Sequence, residues 1–163
     1  MRIDIYMRGL PVNKLILFFL IATLISCDKV INCPDCAMQP ELFRLKITDY
    51  EDSTDLIYNG YIDSDSILIF YNDNGTKNFI ETVMYIDSTL KKSIILSQEI
   101  SWKSSEGFKE YFLYLNFLDI DTIFFDVEKT PNDCCPYYIL IDFKINNMKL
   151  ERDPSDNIFN LKK

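Results

Sequence analysis

The chain of 163 residues contains no histidine. Without an imidazole group it cannot use Ser-His-Asp or Cys-His catalysis or histidine-ligated metal sites, and it lacks the side chain that most often acts as a general base near neutral pH. The remaining chemistry belongs to carboxylate, lysine, tyrosine and thiol groups. No carboxylate pair has a spacing that selects acid–base partners. We therefore predict a non-enzymatic protein with no catalytic residues and no cofactor.

Long apolar runs are missing as well. The longest, residues 15–25, has eleven residues, whereas a helix needs about 20 to span a membrane. Basic residues precede the run, and Leu24-Ile25-Ser26-Cys27 ends it in a pattern that resembles a bacterial lipobox. We predict a lipoprotein signal peptide over residues 1–26, translated from Met1 or Met7, and lipidation of Cys27. The alternative is an ordinary cleaved leader or a short anchor helix.

The resemblance to a lipobox implies where in the cell the protein is located. Lipoproteins of this class carry a diacylglyceryl group and often a third acyl chain on the cysteine. Two or more acyl chains hold a protein stably at a membrane, whereas one does so only marginally. We expect a protein of the cell envelope that is anchored to a membrane through this lipid (palmitate or a similar acyl chain). It would face the periplasm or the cell surface, and we expect the outer membrane.

Basic residues are scarce, with 17 Lys and Arg against 25 Asp and Glu. Removal of residues 1–26 would take away three basic residues and one acidic residue, leaving 14 against 24 and a net charge of −10. An acidic surface repels phosphate backbones, and the Lys/Arg clusters of nucleic-acid-binding proteins are absent from this sequence. Nucleic acid is therefore not expected as a partner.

Alternation of apolar and polar residues dominates from Glu41 onward. Phe43, Leu45 and Ile47 are predicted on one face of a strand, and the late segment places a longer apolar series on one face: Tyr137, Ile139, Ile141, Phe143 and Ile145. Asn74-Gly75 between two apolar runs predicts a hairpin with a type I′ turn. No helix is predicted beyond one short turn within residues 52–58. We expect an all-β antiparallel β-sandwich of seven to eight strands.

The predicted organisation has four parts. Residues 1–26 are the signal peptide and residues 27–40 are the lipidated cysteine and a tether. Residues 41–152 are the β-sandwich domain, and residues 153–163 are a loosely ordered C-terminal tail.

Four cysteines follow Cys27, namely Cys33, Cys36, Cys134 and Cys135. An even number outside the cytoplasm favours disulfide bonds. Bridging the adjacent pair would strain the peptide between them, and Cys33–Cys36 closes only a small loop. Two bridges from the tether to Cys134 and Cys135 are therefore favoured. A zinc site and C-x-x-C redox chemistry at Cys33 and Cys36 rank behind them, because the usual ligand spacing and the helix that starts at a redox cysteine are missing.

Two acidic clusters, Asp63-Ser64-Asp65 and Asp119-Ile120-Asp121, do not continue into the oxygen-rich loop that Ca²⁺ requires. We interpret both as turns and predict no metal site. Asp-Ser/Thr-apolar tripeptides resemble the O-glycosylation sequon of Bacteroidetes, and Ser53 and Ser88 are the best placed of them. An exposed aromatic patch for a glycan or a protein is the less favoured account of the many aromatic residues, with these candidates: Tyr85, Trp102, Tyr111 and Tyr114.

Several segments resemble a group of small, functionally uncharacterised Bacteroidetes lipoproteins: the leader, residues 43–49, residues 56–60, and Asp133-Cys134-Cys135 leading into residues 138–145. The resemblance implies an immunoglobulin-like β-sandwich domain and no particular activity. We expect a non-catalytic binding or structural module whose partner is an unknown envelope protein or glycan. The alternatives are a thiol–disulfide redox factor that uses Cys33 and Cys36, and an inhibitor or chaperone of an envelope enzyme.

Overall fold

The computed structural model describes residues 39–131 and 137–163. Ten strands and one short helix lie within these ranges, in the following order: β1 (Phe43–Thr48), β2 (Leu68–Asp73), β3 (Thr76–Ile80), β4 (Val83–Asp87), β5 (Lys92–Ser97), α1 (Glu99–Ser105), β6 (Glu110–Asn116), β7 (Asp119–Lys129), β8 (Tyr138–Ile145), β9 (Met148–Lys149) and β10 (Phe159–Lys162). The prediction of a fold made mainly of β-strands is confirmed for the described residues, but they contain ten strands where seven to eight were expected.

The strands form two sheets. The small sheet has the order β10-β1-β5-β4, and the large sheet has the order β3-β2-β6-β7-β8-β9. Among the described strands every pairing is antiparallel except β1 with β10, which is parallel. A single apolar core includes side chains from both sheets. Phe43 of the small sheet, for example, meets Phe125 and Phe143 of the large sheet edge-on, at 5.4 and 5.8 Å between ring centroids.

The predicted alternation in β1 is confirmed, because Phe43, Leu45 and Ile47 are buried and face the core. The predicted hairpin is confirmed too. β2 and β3 pair around Asn74 and Gly75, whose φ angles of 49° and 83° are those that a type I′ turn requires. The apolar run that follows this turn, residues 79–83, is however divided between the two sheets. β3 ends at Ile80, and after two residues the chain starts β4 in the small sheet.

The predicted face of the late segment is wrong for its first half. Phe143 and Ile145 are buried, but Ile139 and Ile141 are exposed. The cause is a register shift between β7 and β8 that leaves Ile141 without a partner, so that Leu140 lies opposite the buried Val127. One extra residue in a strand reverses the faces of all residues beyond it. Leu140 therefore packs against the core in the position opposite Val127 where Ile141 was expected.

Helix α1 was not predicted, and it covers a part of β7 that β6 does not reach. Its Ser104 is buried, and the hydroxyl donates to the carbonyl of Phe125 at 2.7 Å and accepts from the backbone N–H of Val127 at 2.8 Å. One side chain thus satisfies two backbone groups of the strand, which would otherwise be buried without partners.

The C-terminal segment is ordered, contrary to the expectation for residues 153–163. Phe159 and Leu161 are buried, and β10 extends the small sheet beside β1. Beyond it the Lys163 ammonium lies 2.5 Å from Asp119 Oδ1 and 2.7 Å from Oδ2 of the buried Asp121. Asn146 donates its amide to Asp121 at 2.5 Å. These contacts join the C-terminal segment, the start of β7 and the turn between β8 and β9.

Asp55 fixes the long connection between β1 and β2. Its buried carboxylate accepts backbone N–H groups from Ile57 and Tyr58 at 3.0 and 2.8 Å, and from Ser93 of β5 at 2.7 Å. The connection forms several turns, including the region where one short turn was predicted.

Candidate functional site

The predicted lipidation and disulfide sites, Cys27, Cys33, Cys36, Cys134 and Cys135, lie outside the described residues. The two glycosylation candidates lie within them. Ser53 and Ser88 are both exposed, in the β1–β2 connection and in the β4–β5 turn. The preceding aspartate of each accepts the backbone N–H two residues further on, Asp52 from Thr54 at 2.8 Å and Asp87 from Thr89 at 2.9 Å. Both hydroxyls are therefore carried by compact polar turns.

The four aromatic candidates do not share a surface. Tyr111 is completely buried, and its hydroxyl lies 2.6 Å from the carbonyl of Phe108 and 3.0 Å from that of Ile100. Burial raises the pKa of Tyr111 well above its ordinary value. Tyr85 lies in the small sheet and Tyr114 in the large one. Trp102 lies on α1, with its ring edge-on to Tyr138 at 5.4 Å.

The acidic clusters have structural partners. Asp63 caps a short 3₁₀ turn by accepting the N–H of Asp65 at 3.0 Å, as the turn interpretation predicts. Asp119 and Asp121 lie instead in β7, where the turn interpretation is wrong, and they hold Lys163. Within residues 39–131 and 137–163, no set of three or more carboxylate or thiol side chains is placed to hold a metal ion.

A different surface stands out, on the side of the large sheet that faces away from the core. Many of the residues that alternate with the core positions on the strands of this sheet are themselves apolar. Cross-strand register places these apolar residues side by side. Phe70 has Phe79 and Phe112 as its neighbours. Tyr114 lies between Leu68 and Ile120, and Phe124 and Ile139 lie further along β7 and β8. We call this set the outer apolar face: Leu68, Phe70, Phe79, Phe112, Tyr114, Ile120, Phe124 and Ile139.

The middle of the outer apolar face is closely packed. The rings of Phe70 and Phe112 stack at 5.2 Å with an interplanar angle of 22°, and Phe79 meets Phe70 edge-on at 6.0 Å. The Lys77 ammonium lies 4.1 Å from the centre of the Phe70 ring. Phe70 is consequently only 7% exposed, whereas Phe79 and Ile120 around it are 59% and 53% exposed.

Charges on the outer apolar face are few and balanced. Three lysines and four acids alternate with the apolar residues, as strand register shows: Lys77, Lys144, Lys149, Glu110, Glu128, Asp126 and Asp142. The buried Asp126 forms an ion pair with Lys109 at 2.8 Å, and this lysine restores the balance of charge. Asp142 and Lys144 form an ion pair with each other, and Lys144 also lies 5.2 Å from the Phe124 ring. The pairing with Lys144 lowers the pKa of Asp142 below its ordinary value. The face is thus neutral on a chain in which acids outnumber bases.

A second surface feature is the groove between β8 and residues 149–152. β9 covers only the end of β8, so Tyr138 to Asp142 border this groove. Arg152 crosses its rim to form an ion pair with Glu41. Burial acts to raise the pKa of Glu41, but the hydrogen bonds from Arg152 and Asn157 hold it below its ordinary value.

The outer apolar face was missed from the sequence, although a signal was present. The segments 67–71 and 111–115 are apolar at every position. Such unbroken runs are typical of strands covered on both faces, whereas strands with one solvated face alternate. The runs therefore predict apolar side chains on both faces of β2 and β6.

No protein-family model, curated protein or solved structure matches the chain. Among the described residues no helix has the length and apolar character needed to span a membrane.

Proposed function

We propose that the protein is a lipid-anchored, non-catalytic interaction module of the cell envelope, and that the outer apolar face is its interaction surface. The observation that carries the proposal is the two-sided apolar character of the large sheet. An antiparallel sheet normally leaves one face polar and solvated. Contiguous exposed apolar patches of more than a few hundred Å² mark interaction sites on soluble domains.

The anchor is proposed from the lipobox at Leu24-Ile25-Ser26-Cys27. Metabolic labelling with palmitate is expected to mark the wild-type chain and to leave a Cys27→Ala variant unlabelled. Cell fractionation should find wild type with the membranes, in the outer membrane. A Cys33→Ala variant is the matched control, because it removes a nearby cysteine outside the lipobox. Equal labelling of wild type and Cys27→Ala would overturn the anchor.

Disulfide bonds between the tether and Cys134 or Cys135 are part of the same proposal. The described residues on both sides support it, because one contacts the residue before α1 and the other contacts α1. The carbonyl of Pro40 accepts from Gln98 at 2.6 Å, and the Tyr138 ring meets Trp102. Peptide mapping of the native protein is expected to link the two cysteine pairs. Two free, rapidly oxidised thiols at Cys33 and Cys36 would favour the redox factor instead.

Intact-mass analysis of the native protein tests glycosylation at Ser53 and Ser88. Their exposed turns support these two sites over Ser66 of the similar tripeptide Asp65-Ser66-Ile67, whose hydroxyl lies 2.7 and 2.9 Å from the carbonyls of Asp63 and Leu115 and is held between them. A mass equal to that of the lipidated polypeptide alone would exclude the modification.

We also propose that the domain is immunoglobulin-like in one respect, namely that two antiparallel-rich sheets enclose the core. Two sheets rich in antiparallel pairs support it. The strand number differs, because the described residues contain ten strands and immunoglobulin domains have seven to nine.

A further inference from the structure

We infer that the outer apolar face binds a second copy of the same chain, the two large sheets packing face to face around a twofold axis. The inference rests on the proposed function, since it names the partner of that interaction surface. A twofold interface brings the same patch of both subunits together, so the patch must complement itself.

Charge is the first argument for a second copy. The whole chain carries a net charge of −8, so most surfaces of two copies repel each other. The outer apolar face is the exception, because its three lysines and four acids, together with the Lys109 that pairs with Asp126, carry no net charge. A patch with equal numbers of both signs can match each lysine to an acid of the partner. A strongly charged ligand would favour a patch of one sign.

Shape is the second argument. Six strands about 4.8 Å apart make a sheet about 24 Å wide. The strands β3, β2, β6 and β7 have five to eleven residues, so the face extends about 20 Å along them. Its area is therefore of the same order as the roughly 800 Å² per partner of a standard interface. Sheets pack face to face at about 10 Å when both present apolar side chains, which is the arrangement proposed here.

The aromatic rings favour a protein over a glycan. A sugar ring stacks on an aromatic ring that offers its flat face. Here Phe70 and Phe112 offer their faces to each other, and Lys77 covers the other side of Phe70. The residues that project from this cluster are aliphatic or edge-on, such as Ile120, Leu68 and Phe79. Such side chains can interdigitate with identical residues of a facing sheet.

Sedimentation of the full-length protein in detergent micelles tests the dimer directly. Ile120→Lys adds a buried positive charge to the proposed interface from each copy, and we expect it to weaken dimerisation by at least tenfold. Ile86→Lys is the matched control, because Ile86 is 52% exposed against 53% for Ile120 but lies in the small sheet. The control should change the dissociation constant by less than twofold. Leu68→Lys replaces Ile120→Lys if the latter does not fold. Equal effects of the face and control variants would overturn the inference.

Photo-crosslinking in intact cells separates failure of the inference from failure of the proposed function. A benzophenone amino acid replaces Phe79 on the face, or Tyr85 in the small sheet as the control, at 59% and 50% exposure. A product of twice the monomer mass from position 79 alone supports the second copy. A conjugate with another protein or a glycan overturns the second copy and retains the interaction surface. The absence of any product at position 79 overturns both.

Discussion

At the scale of single residues, buried polar side chains hold the loops and the helix to the sheets. Asp55 binds three backbone N–H groups, and Ser104 binds one N–H and one carbonyl. None of these contacts could be predicted from the sequence, because Asp and Ser also favour exposed turns. Only the completed fold shows which of the many Asp and Ser residues are buried.

Ser104→Ala is expected to lower the free energy of unfolding by about 2 kcal/mol. The substitution removes the partner of the buried Phe125 carbonyl and Val127 N–H, and each unsatisfied buried group costs about 1–3 kcal/mol. Urea unfolding at constant m-value measures the loss. Ser105→Ala is the control, since Ser105 bonds only within α1, to the carbonyl of Trp102. A control as destabilised as Ser104→Ala would show that helix propensity, rather than the link to β7, sets the loss.

At the scale of elements, the strength of the local signal decided what could be predicted. The alternation of β1 and the Asn74-Gly75 turn are local patterns, and both are confirmed. The seven-residue helix α1 is too short for a helical stripe, and its place depends on the contact with β7. The β8 faces were mispredicted because a single unpaired residue reverses them, and strict alternation in the sequence conceals it.

Gly75→Val is expected to destabilise the protein by about 1–2 kcal/mol. Gly75 has a φ of +83°. A residue with a Cβ atom costs roughly 1–2 kcal/mol in the left-handed region, and branching at Cβ restricts it further. Thr76→Val is the control, because Thr76 is exposed and begins β3 in extended conformation. Thermal or urea midpoints of the two variants give the comparison. Equal midpoints would contradict the type I′ turn.

At the scale of the whole molecule, the sequence predicted two antiparallel-rich sheets but neither their closure nor their exposed faces. The segment from Asp153 to Lys163 has few apolar residues and was expected to be loose. It becomes a strand because Phe159 and Leu161 find places beside Leu45 and Ile47, more than 100 residues earlier in the chain. Pairing over such a separation has no local signature. The outer apolar face is likewise a property of the assembled sheet, although the unbroken runs of β2 and β6 indicate it.

The ion pairs of Lys163 with Asp119 and Asp121 predict that the folded protein loses stability at alkaline pH. Burial acts to lower the pKa of Lys163, but its hydrogen bonds to Asp119 and Asp121 raise it above the ordinary 10.5. A raised pKa in the folded state contributes stability that is complete below 10.5 and is lost as the pH rises through the folded value.

Lys163→Met should therefore be less stable than wild type at neutral pH, and the difference should shrink above pH 10.5. Denaturant unfolding at several pH values measures it. Lys162→Met provides the comparison, because Lys162 is exposed and lies 5.9 Å from the Tyr50 ring. A difference that stays constant to pH 12 would disprove the role of the ammonium.

The lone tryptophan gives the molecule a built-in optical reporter. Trp102 is part of the short helix and touches Tyr138, the first residue of β8. Its emission therefore reports the junction of α1 with the large sheet and is insensitive to events at the opposite ends of the strands. Fluorescence can follow undocking of this helix while circular dichroism follows the sheets, and a gap between the two curves would reveal a partly opened intermediate.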